Sequence, residues 1–494
     1  MSEKLKIGII QNAPLTADFP NNLRQIVQGY RECLDHGAEL VVAPATALCG
    51  AEPLDLIERQ SFMQQTEAAL NALSRELGEV PLILGAWAPQ PDDLFDNDLD
   101  CEKDAPEPRV NDAPDGCGTI LTPYLLENND VTELENGEII DLDGVQIYTD
   151  TKNALSPDDT EGASVIVHLR TAPWHAGAQA EDEDDGTWEA RTAGIPVISV
   201  RHVGSTHGNI YAGGSAVYSA AGRVTARLPM FEPAARVVDV YSTRTAKARP
   251  TEEEQLCSAL ELGIRDTVRN NGFSGVCLSL DTPNAALLAA LCTEALGRSN
   301  VVGVTTQNNT QIAEALKISC HKPDIAPLLA AAEKVLPDAA EDFRKRITAT
   351  ALYSFAESRG LMFLSPLSRR EFMLGSYTQY GESCGHFAPL GNLYEIDLHM
   401  LRVYLSEKYA TLFGVLSEPA IPATDRIIHE LADRNLSASA LLHSHTCPFS
   451  ENEVRLVQRK LIASALKRTQ MPPVLHADRV TERIDLPVAH RMND

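Results

Sequence analysis

Short apolar segments alternate with amphipathic ones along the first part of the chain. Lys6–Gln11 is short, apolar and β-branched, which is typical of a strand buried on both faces. Asn21–His36 repeats apolar residues at helical spacing, and the apolar run Leu40–Ala43 follows it as a second strand. A second helix over Gln60–Leu77 leads to a strand at Pro81–Gly85. This order of strands and helices predicts an α/β domain.

The pattern continues through the rest of the chain and indicates where one domain ends. Three later apolar segments predict further strands, at Ser164–His168, Pro196–Arg201 and Gly214–Ser219. Between Val237 and Glu254 an apolar segment gives way to a polar, charged one, so we place the boundary there and predict domains 1–245 and 246–494. The second domain begins with helix, strand, helix and strand, at Glu252–Asn270, Gly275–Leu280, Asn284–Ala295 and Val301–Thr305. That order predicts a doubly wound sheet.

Length and composition narrow the class of protein. The chain has 494 residues, of which 44% are hydrophobic, and this size suits two globular domains rather than one. Its net charge of −27 would repel a phosphate backbone and an anionic membrane surface, so neither nucleic acid nor membrane is expected as a partner. Ten cysteines lie scattered with no CxxC pair, and Met1–Ile10 lacks the pattern of a signal peptide. These features predict a cytoplasmic protein with reduced thiols.

Part of the negative charge is concentrated in two segments. Pro91–Asp115 is also rich in proline and polar residues and predicts an exposed loop, and Glu181–Asp185 is a run of five acidic residues. Short acidic runs in loops are usually solvated surface. We therefore expect no function for either segment.

Motifs in both domains resemble one known family. In the first domain, segments resemble the first βαβ unit and later landmarks of the nitrilase superfamily, at Ile7–Asn12 with Asn22, Gly37–Pro44, Ala172–Gly177, Gly194–Val197, Val203–Gly204 and Gly213–Val217. The second domain resembles the synthetase domain of glutamine-dependent NAD synthetases, at Gly375–Glu382, Ala388–Tyr394 and Lys467–Pro473. Because two unrelated domains match in the right order, the chain is identified as a member of that family.

The resemblance implies a fold and a reaction. The fold would be a nitrilase-type αββα sandwich followed by a doubly wound, Rossmann-like ATP-pyrophosphatase α/β domain. The first domain of the family releases ammonia from glutamine. The second uses ATP to adenylylate nicotinic acid adenine dinucleotide before ammonia attacks. Family members assemble through both domains, so the resemblance also implies a homo-oligomer.

The resemblance assigns three positions to the amidase reaction of the first domain. That reaction needs a Cys nucleophile, a Glu general base and a Lys that stabilises the oxyanion. In this chain Tyr148 stands at the position of the Cys, Ala45 at that of the Glu and Thr119 at that of the Lys. None of these supplies the required group, and the Tyr148 phenol, neutral at pH 7, is expected to fill the pocket. Cys49 or Cys117 is a less favoured replacement nucleophile, because a lone cysteine is more often an inert core thiol.

The phosphate-binding loop of the second domain is also changed. The family has Ser-Gly-Gly-x-Asp-Ser between strand and helix, where glycines allow the backbone to approach the ATP pyrophosphate. The matching residues here are Leu280, Asp281, Thr282, Pro283, Asn284 and Ala285. Both glycines are lost, Pro283 removes an N–H donor, and Asp281 adds negative charge. Asn284 replaces the Asp that binds magnesium, so ATP and magnesium are expected as cofactors only if the synthetase activity survives.

Three residues remain as candidate substrate contacts, Arg344, Arg346 and Glu371. Glu371 and the basic Arg369 are kept in the segment that matches the family's Gly-Thr-x-Asn-Lys-Ser-Glu. Arg344 and Arg346 lie in a segment that resembles the family's Arg-x-Arg helix, and a solvated helix face explains them equally well. Glu395 stands where the family has a lysine that helps to hold substrate and phosphates.

Three functions stay open. The first, which we favour, is a catalytically degenerate homologue, or pseudoenzyme, with a binding, regulatory or assembly role. Its partner would be its own copies, an active NAD synthetase or another protein. The second is an active NAD synthetase or amidase that works through altered residues. The third is a metal or hydrolytic site made from Cys384–His386 and His443–Cys447, although neither cluster has a standard zinc spacing and we expect no metal.

Overall fold

The protein divides into two compact units. A computed structural model describes residues 5–89, 119–151, 160–414, 423–444 and 447–477. The first unit, unit 1, comprises Met1–Thr206 with Tyr211–Arg249, and the second, unit 2, comprises His207–Ile210 with Pro250–Asp494. The predicted loop Pro91–Asp115 lies outside the described residues.

The described part of the first 239 residues contains three helices and fourteen strands. The helices are α1 Phe19–Asp35, α2 Gln60–Ser74 and α3 Ala178–Ala193. The strands are β1 Lys6–Gln11, β2 Leu40–Val42, β3 Leu82–Pro89, β4 Thr119–Glu127, β5 Asp130–Glu133, β6 Glu138–Leu142, β7 Val145–Asp150, β8 Val165–Arg170, β9 Val197–Arg201, β10 Val203–Thr206, β11 Asn209–Ala212, β12 Ala216–Tyr218, β13 Val224–Arg227 and β14 Ala234–Asp239.

Unit 1 is a four-layer αββα sandwich, as the resemblance implied. Its sheets have the strand orders β14-β1-β2-β3-β4-β5 and β13-β12-β9-β8-β7-β6. Successive side chains of a strand point to opposite faces, so every strand contributes to two layers. In β8, Val165, Val167 and Leu169 join the apolar layer between the sheets, whereas Ile166 packs on the side of α3. The outer face of the first sheet is covered by α1 and α2.

Unit 2 contains the remaining described helices and a parallel sheet. The helices are α4 Glu252–Asn270, α5 Ala285–Leu296, α6 Gln311–Leu316, α7 Ala326–Val335, α8 Ala340–Glu357, α9 Arg369–Leu374, α10 Glu395–Ser406, α11 Ala410–Phe413, α12 Ala423–Ile428, α13 Ala438–His443, α14 Glu451–Ala463 and α15 Ala465–Arg468. The strands are β15 Gly275–Ser279, β16 Val301–Val304, β17 Ser319–His321 and β18 Leu361–Phe363, in the order β17-β16-β15-β18. All three pairings are parallel, which confirms the doubly wound α/β fold.

The structure corrects one expectation about the acidic segments. The run Glu181–Asp185 is not in a solvated loop but lies on α3, where Asp182 forms an ion pair of 2.7 Å with Arg201. Glu183 forms another of 2.7 Å with Arg227. The acidic run therefore helps to hold α3 on the second sheet. Among the described helices, none is both long and apolar enough to cross a bilayer.

Candidate functional site

Ala45 lies three residues after β2, in the apolar layer between the two sheets of unit 1. The residue is fully buried and packs with aliphatic side chains that include Ile83 and Ile147. The backbone there is tightly confined, because a Cβ atom on Gly85 would stand 2.6 Å from the Ala45 Cα atom. A methyl group surrounded by hydrocarbon can neither accept a proton nor orient a water molecule.

Tyr148 occupies a different layer from Ala45. It lies in the middle of β7, is 2% exposed and packs with Ile166 and Tyr218 on the side of the sheet that faces α3. Its hydroxyl donates a hydrogen bond of 3.1 Å to the Asp150 carboxylate. Ala45 packs with Ile147, and Tyr148 faces the other way because neighbouring residues of a strand point to opposite faces. The structure therefore does not bring Tyr148 and Ala45 together.

Thr119 is not beside Ala45 either. Thr119 is the first residue of β4 and pairs with Pro89 of β3. Gly85 of β3, which contacts Ala45, pairs instead with Pro123 of β4. Four residues of extended strand separate Thr119 from Pro123, a distance of about 13 Å. The three sequence-predicted amidase positions thus do not form one cluster.

The described cysteines of unit 1 supply no replacement nucleophile. Cys33 and Cys49 are both buried, and burial raises the pKa of each thiol to about 12. A thiol with such a pKa is protonated at pH 7, and the thiolate is the form that attacks. Cys117 lies outside the described residues.

Two of the nitrilase-like landmark segments, Ala172–Gly177 and Gly213–Val217, line a very small cavity. Ala172, Trp174 and Gly213 line it together with His202, and its volume is about 10 Å³. That is space for about one water molecule and far too little for glutamine. Burial and the charge of Arg201 lower the pKa of His202 to about 3, so its imidazole is neutral. The Nε2 atom of His202 and the Nε1 atom of Trp174 have no hydrogen-bond partner among the described residues.

A buried charge network, which the sequence analysis missed, connects the second sheet to α3. His168 Nδ1 lies 2.7 Å from an Asp150 oxygen, and His168 Nε2 lies 3.4 Å from a Glu189 oxygen. Arg170 donates to both oxygens of Glu189, at 2.8 and 3.1 Å. All four residues are buried. The signal in the sequence is the pair of polar residues at alternate positions near the end of β8, His168 and Arg170, on the face opposite its valines.

The network favours the charged form of His168. Burial disfavours the imidazolium, but the Asp150 and Glu189 carboxylates outweigh burial and raise the pKa of His168 above its ordinary value. Burial also acts against the Glu189 carboxylate, but His168 and Arg170 outweigh it and lower the pKa of Glu189. The network thus places two carboxylates, of Asp150 and Glu189, against Arg170 and a His168 imidazole whose charged form they favour.

We expect unit 1 to lose stability as the pH rises above about 6.5, the ordinary pKa of histidine. A group whose folded pKa is raised stabilises the fold fully below its unfolded pKa, and that contribution is lost as the pH rises through the folded value. The lowered pKa of His202 has the opposite effect: its contribution to stability is present above pH 6.5 and is lost as the pH falls below that value. Urea denaturation of wild type and of His168→Gln between pH 6 and pH 9 measures this. A wild-type slope that the substitution leaves unchanged would rule out His168 as its source.

In unit 2, the turn that matches the phosphate-binding loop is closed by its own hydrogen bonds. Asp281 follows β15, and its carboxylate accepts bonds from the Thr305 hydroxyl at 2.5 Å and from the Thr306 N–H and hydroxyl at 2.7 and 3.0 Å. These partners belong to the segment after the neighbouring strand β16. The turn at Asp281 is thus tied to the segment after β16, and a carboxylate occupies the place where the resemblance implies phosphates.

The other residues of the turn differ in what they contact. Asn284 is buried, donates to the Pro366 carbonyl at 3.1 Å and accepts from Arg402 at 2.9 Å, so its side chain is not directed at a metal. Pro283 has no N–H, and Leu280 packs against Gly303. Thr282 lines the adjoining cleft, and Ala285 begins α5. These residues do not fit a bound ATP pyrophosphate with magnesium.

The candidate contact Glu371 and the nearby Arg369 have structural partners. Glu371 accepts bonds from the Ser368 N–H at 2.7 Å and hydroxyl at 2.9 Å, which caps α9. Arg369 is buried and forms an ion pair of 2.5 Å with Asp433. Glu371 is therefore explained as a helix cap, and the structure gives it no contact with a substrate cavity.

The two helix arginines differ in position. Arg344 lines the unit 2 cleft, although its guanidinium already pairs with Glu333 at 2.8 Å. Arg346 donates a bond of 3.0 Å to the Gln379 carbonyl and is not among the residues that line the cleft. Of the three candidate substrate contacts, only Arg344 lines this cleft.

That cleft lies at the carboxyl ends of the parallel strands. Its volume is about 540 Å³, within the range of small-molecule sites. Residues after β15 and β18 form one side, and α7 and α8 form the other. A doubly wound sheet usually binds its ligand at this edge.

The histidine and cysteine clusters show no metal site in the described part of the chain. His386 accepts a bond of 3.0 Å from the Phe363 N–H and contacts the Tyr353 hydroxyl at 2.9 Å, so both ring nitrogens are used. His443 contacts a carbonyl of its own helix, and residues 445–446 lie outside the described residues. No group of three or more metal-ligating side chains occurs among the described residues.

The fold and the two sites define a two-domain protein, a nitrilase-type sandwich joined to a synthetase-type α/β unit. Residues 256–411 match the family model described as NAD synthase. The chain is 25% identical to the glutamine-dependent NAD(+) synthetase of Thermotoga maritima, over 81% of this chain and 80% of that protein. It is 22% identical to the one of Synechocystis, over 97% and 96%. The chain is thus a relative of the glutamine-dependent NAD synthetases.

Solved structures agree on the fold. The glutamine-dependent NAD(+) synthetase of Cytophaga hutchinsonii superposes with a TM-score of 0.81 at 14% identity, over 99% of this chain and 98% of that one. The enzyme of Acinetobacter baumannii, solved with adenosine diphosphate, has a TM-score of 0.73 at 18% identity, over 97% and 98%. The shared architecture therefore extends through both units.

Proposed function

We propose that this protein is a catalytically degenerate relative of the glutamine-dependent NAD synthetases, with a binding, regulatory or assembly role in the cytoplasm. The observation that carries the proposal is the turn between β15 and α5. Its Asp281 carboxylate is held by Thr305 and Thr306 where the family cradles phosphates. A fixed anion repels the charge that a phosphate-binding loop must stabilise, and Pro283 removes a donor.

The first unit supports the same proposal independently. Ala45 has no acid or base, and the described thiols of the unit are held protonated by burial. The cavity at the landmark segments has room for about one water molecule. Glutamine hydrolysis needs a nucleophile, a base and a pocket, and neither Ala45, the buried Cys33 and Cys49 thiols nor this cavity supplies them.

One observation favours a second candidate, an active NAD synthetase that works through altered residues. The cleft of about 540 Å³ is open at the strand edge, and it still contains the cations Arg344 and Lys345. The relatives named above are ligases that carry this fold. Turnover decides between the two candidates, because both allow a ligand to bind in the cleft and only the second includes catalysis.

We expect the purified full-length chain to release no ammonia from glutamine and to form no NAD from nicotinic acid adenine dinucleotide, ATP, magnesium and ammonium. Supplying ammonium directly tests unit 2 apart from unit 1. The Thermotoga maritima enzyme, run in the same assay, shows that the conditions support turnover. NAD formation that disappears in a Thr348→Trp variant, which narrows the cleft, would contradict the proposal and establish the second candidate. Ammonia release from glutamine that co-purifies with the protein on a second chromatography column would contradict the proposal for unit 1.

As a partner we propose further copies of the chain, with an active NAD synthetase or another protein as alternatives. Mass measurement of the purified chain by light scattering, alone and mixed with an active synthetase, distinguishes these assemblies. A monomer under both conditions would contradict an assembly role.

A further inference from the structure

In the described part of unit 1, one edge of β14 is not paired with another strand. β14 is the first strand in the order β14-β1-β2-β3-β4-β5, and β1 pairs with only one of its two edges. The N–H of Val240, which follows β14, donates to the Leu5 carbonyl at 3.0 Å, and the direction of hydrogen bonding alternates along an antiparallel strand. The N–H and C=O groups of Ala235 and Val237 therefore point away from β1, and we call this side the open edge of β14.

The backbone groups of the open edge are available to another chain. No backbone group among the described residues forms a hydrogen bond with the outward N–H and C=O groups of Ala235 and Val237. Backbone groups at a strand edge are satisfied by water or by another strand. An extended peptide can add to such an edge through its own backbone.

A groove of about 430 Å³ follows the open edge. Ala235–Asp239, five consecutive residues of β14, line it together with Lys6 and His36. Five residues of strand span about 13 Å, so the groove is long enough for a short segment of added strand. A groove formed by consecutive residues of one strand matches an extended chain better than a compact ligand.

The charged side chains of the groove favour an acidic occupant. Lys6 and Arg236 are exposed, and neither has an ion-pair partner among the described residues. Asp239 is the one carboxylate among the lining residues, and it accepts a bond of 3.1 Å from the Tyr241 N–H. Two cations thus stand against one carboxylate, in a chain whose net charge is −27.

The two cations lie on opposite faces of the sheet. Arg236 alternates with Ala234 and Val238, which pack in the layer between the sheets. Lys6 is opposite Asp239, on the face where α1 packs. The side chains of an added strand would alternate between these faces, so its carboxylates could meet a cation on either one.

We propose that the open edge of β14 docks an extended, acidic peptide segment of a partner protein by β-strand addition. The backbone of the segment pairs with Ala235 and Val237, and its carboxylates lie beside Lys6 and Arg236. Charged residues on an edge oppose pairing with apolar or like-charged strands, so the same residues select the partner. This inference rests on the proposed function, since it gives the assembly role a surface. Turnover with peptide binding intact would overturn only the proposed function, and loss of peptide binding without turnover only this inference.

The test is fluorescence anisotropy of the full-length chain with a labelled peptide of about eight residues that alternates valine and glutamate. We expect it to bind at least about tenfold more tightly than the peptide with lysine in place of glutamate. Two further peptides carry methyl groups on the backbone nitrogens of all valines or of all glutamates, so each keeps its charge and loses the donors of one edge. One of these two should bind at least about tenfold more weakly than the other, because only one edge of the peptide faces β14.

Variants of the chain separate backbone pairing from charge. Val237→Pro removes an outward N–H and leaves the ladder to β1 in place, so it should weaken binding of the acidic peptide by at least about tenfold. Lys6→Glu with Arg236→Glu should reverse the preference between the glutamate and lysine peptides. Arg24→Glu with Arg75→Glu makes the same change in net charge at exposed positions outside the groove and should leave both affinities unchanged.

Thermal unfolding shows whether Val237→Pro is folded, and the methylated peptides test the same pairing on the wild-type chain. No binding of the acidic peptide up to about 1 mM would overturn the proposal. Equal binding of the two methylated peptides would do so as well, as would binding that the charge reversal leaves intact. A second copy of the chain is the competing occupant. If Val237→Pro lowered the mass measured by light scattering, β14 would pair with its own copy and the proposal would be wrong.

Discussion

Glu189→Ala is expected to lower the free energy of unfolding of unit 1 by about 3–5 kcal/mol. Glu189 is the partner of Arg170 at 2.8 Å and of His168 at 3.4 Å, and both side chains are buried. Its removal leaves two cations in the interior with only Asp150 to balance them. Desolvation of an unpaired charge is much more costly than the loss of a hydrogen bond in water. Urea denaturation monitored by circular dichroism measures the change.

The matched control is Glu76→Ala. Glu76 also pairs with an arginine, Arg31, at 3.3 Å, but the two side chains are 52% and 65% exposed. An exposed pair contributes less than about 1 kcal/mol, so this variant should unfold almost as wild type does. If Glu189→Ala cost no more than Glu76→Ala, the buried network would not be what holds α3 on the sheet.

Ala45→Glu is expected to lower the free energy of unfolding by about 2–4 kcal/mol at neutral pH. This substitution restores the residue that the family resemblance implies, but Ala45 is fully buried among aliphatic side chains. Burial raises the pKa of an unpaired carboxyl, so its cost is smallest below the unfolded pKa, about 4.3, and grows as the pH rises. The difference from wild type should therefore increase between pH 4 and pH 8 in denaturant titrations.

Two controls separate charge from size at this position. Ala45→Gln has the same shape without the ionisable group and should lack the pH dependence. Ala68→Glu places the same side chain at an exposed position of α2 and should change stability by less than about 0.5 kcal/mol. The combination of Ala45→Glu with Tyr148→Cys is expected to release no ammonia from glutamine, because the two residues lie in different layers. Glutaminase activity in that double variant would contradict the layer assignment.

The sequence alone determined the architecture of this protein. The β-branched segment Lys6–Gln11 forms a strand with the predicted bounds. The segment Glu252–Asn270 forms a helix with the predicted bounds. Periodicity is local, so it is readable without tertiary structure. The family resemblance, now confirmed, rests on the same kind of local pattern. The alanine at position 45 and the aspartate at position 281 were also visible from residue type alone.

Only the tertiary structure decided what those residues touch. Tyr148 faces α3 rather than Ala45 because a shift of one residue along a strand reverses the face. Asp182 pairs with Arg201, and Asp281 with Thr305, through the packing of a helix on a sheet and the pairing of adjacent strands. Such partners are remote along the chain, and their selection depends on distance and burial. A sequence specifies charges and periods, whereas the folded chain determines which charges meet and which are shielded from water.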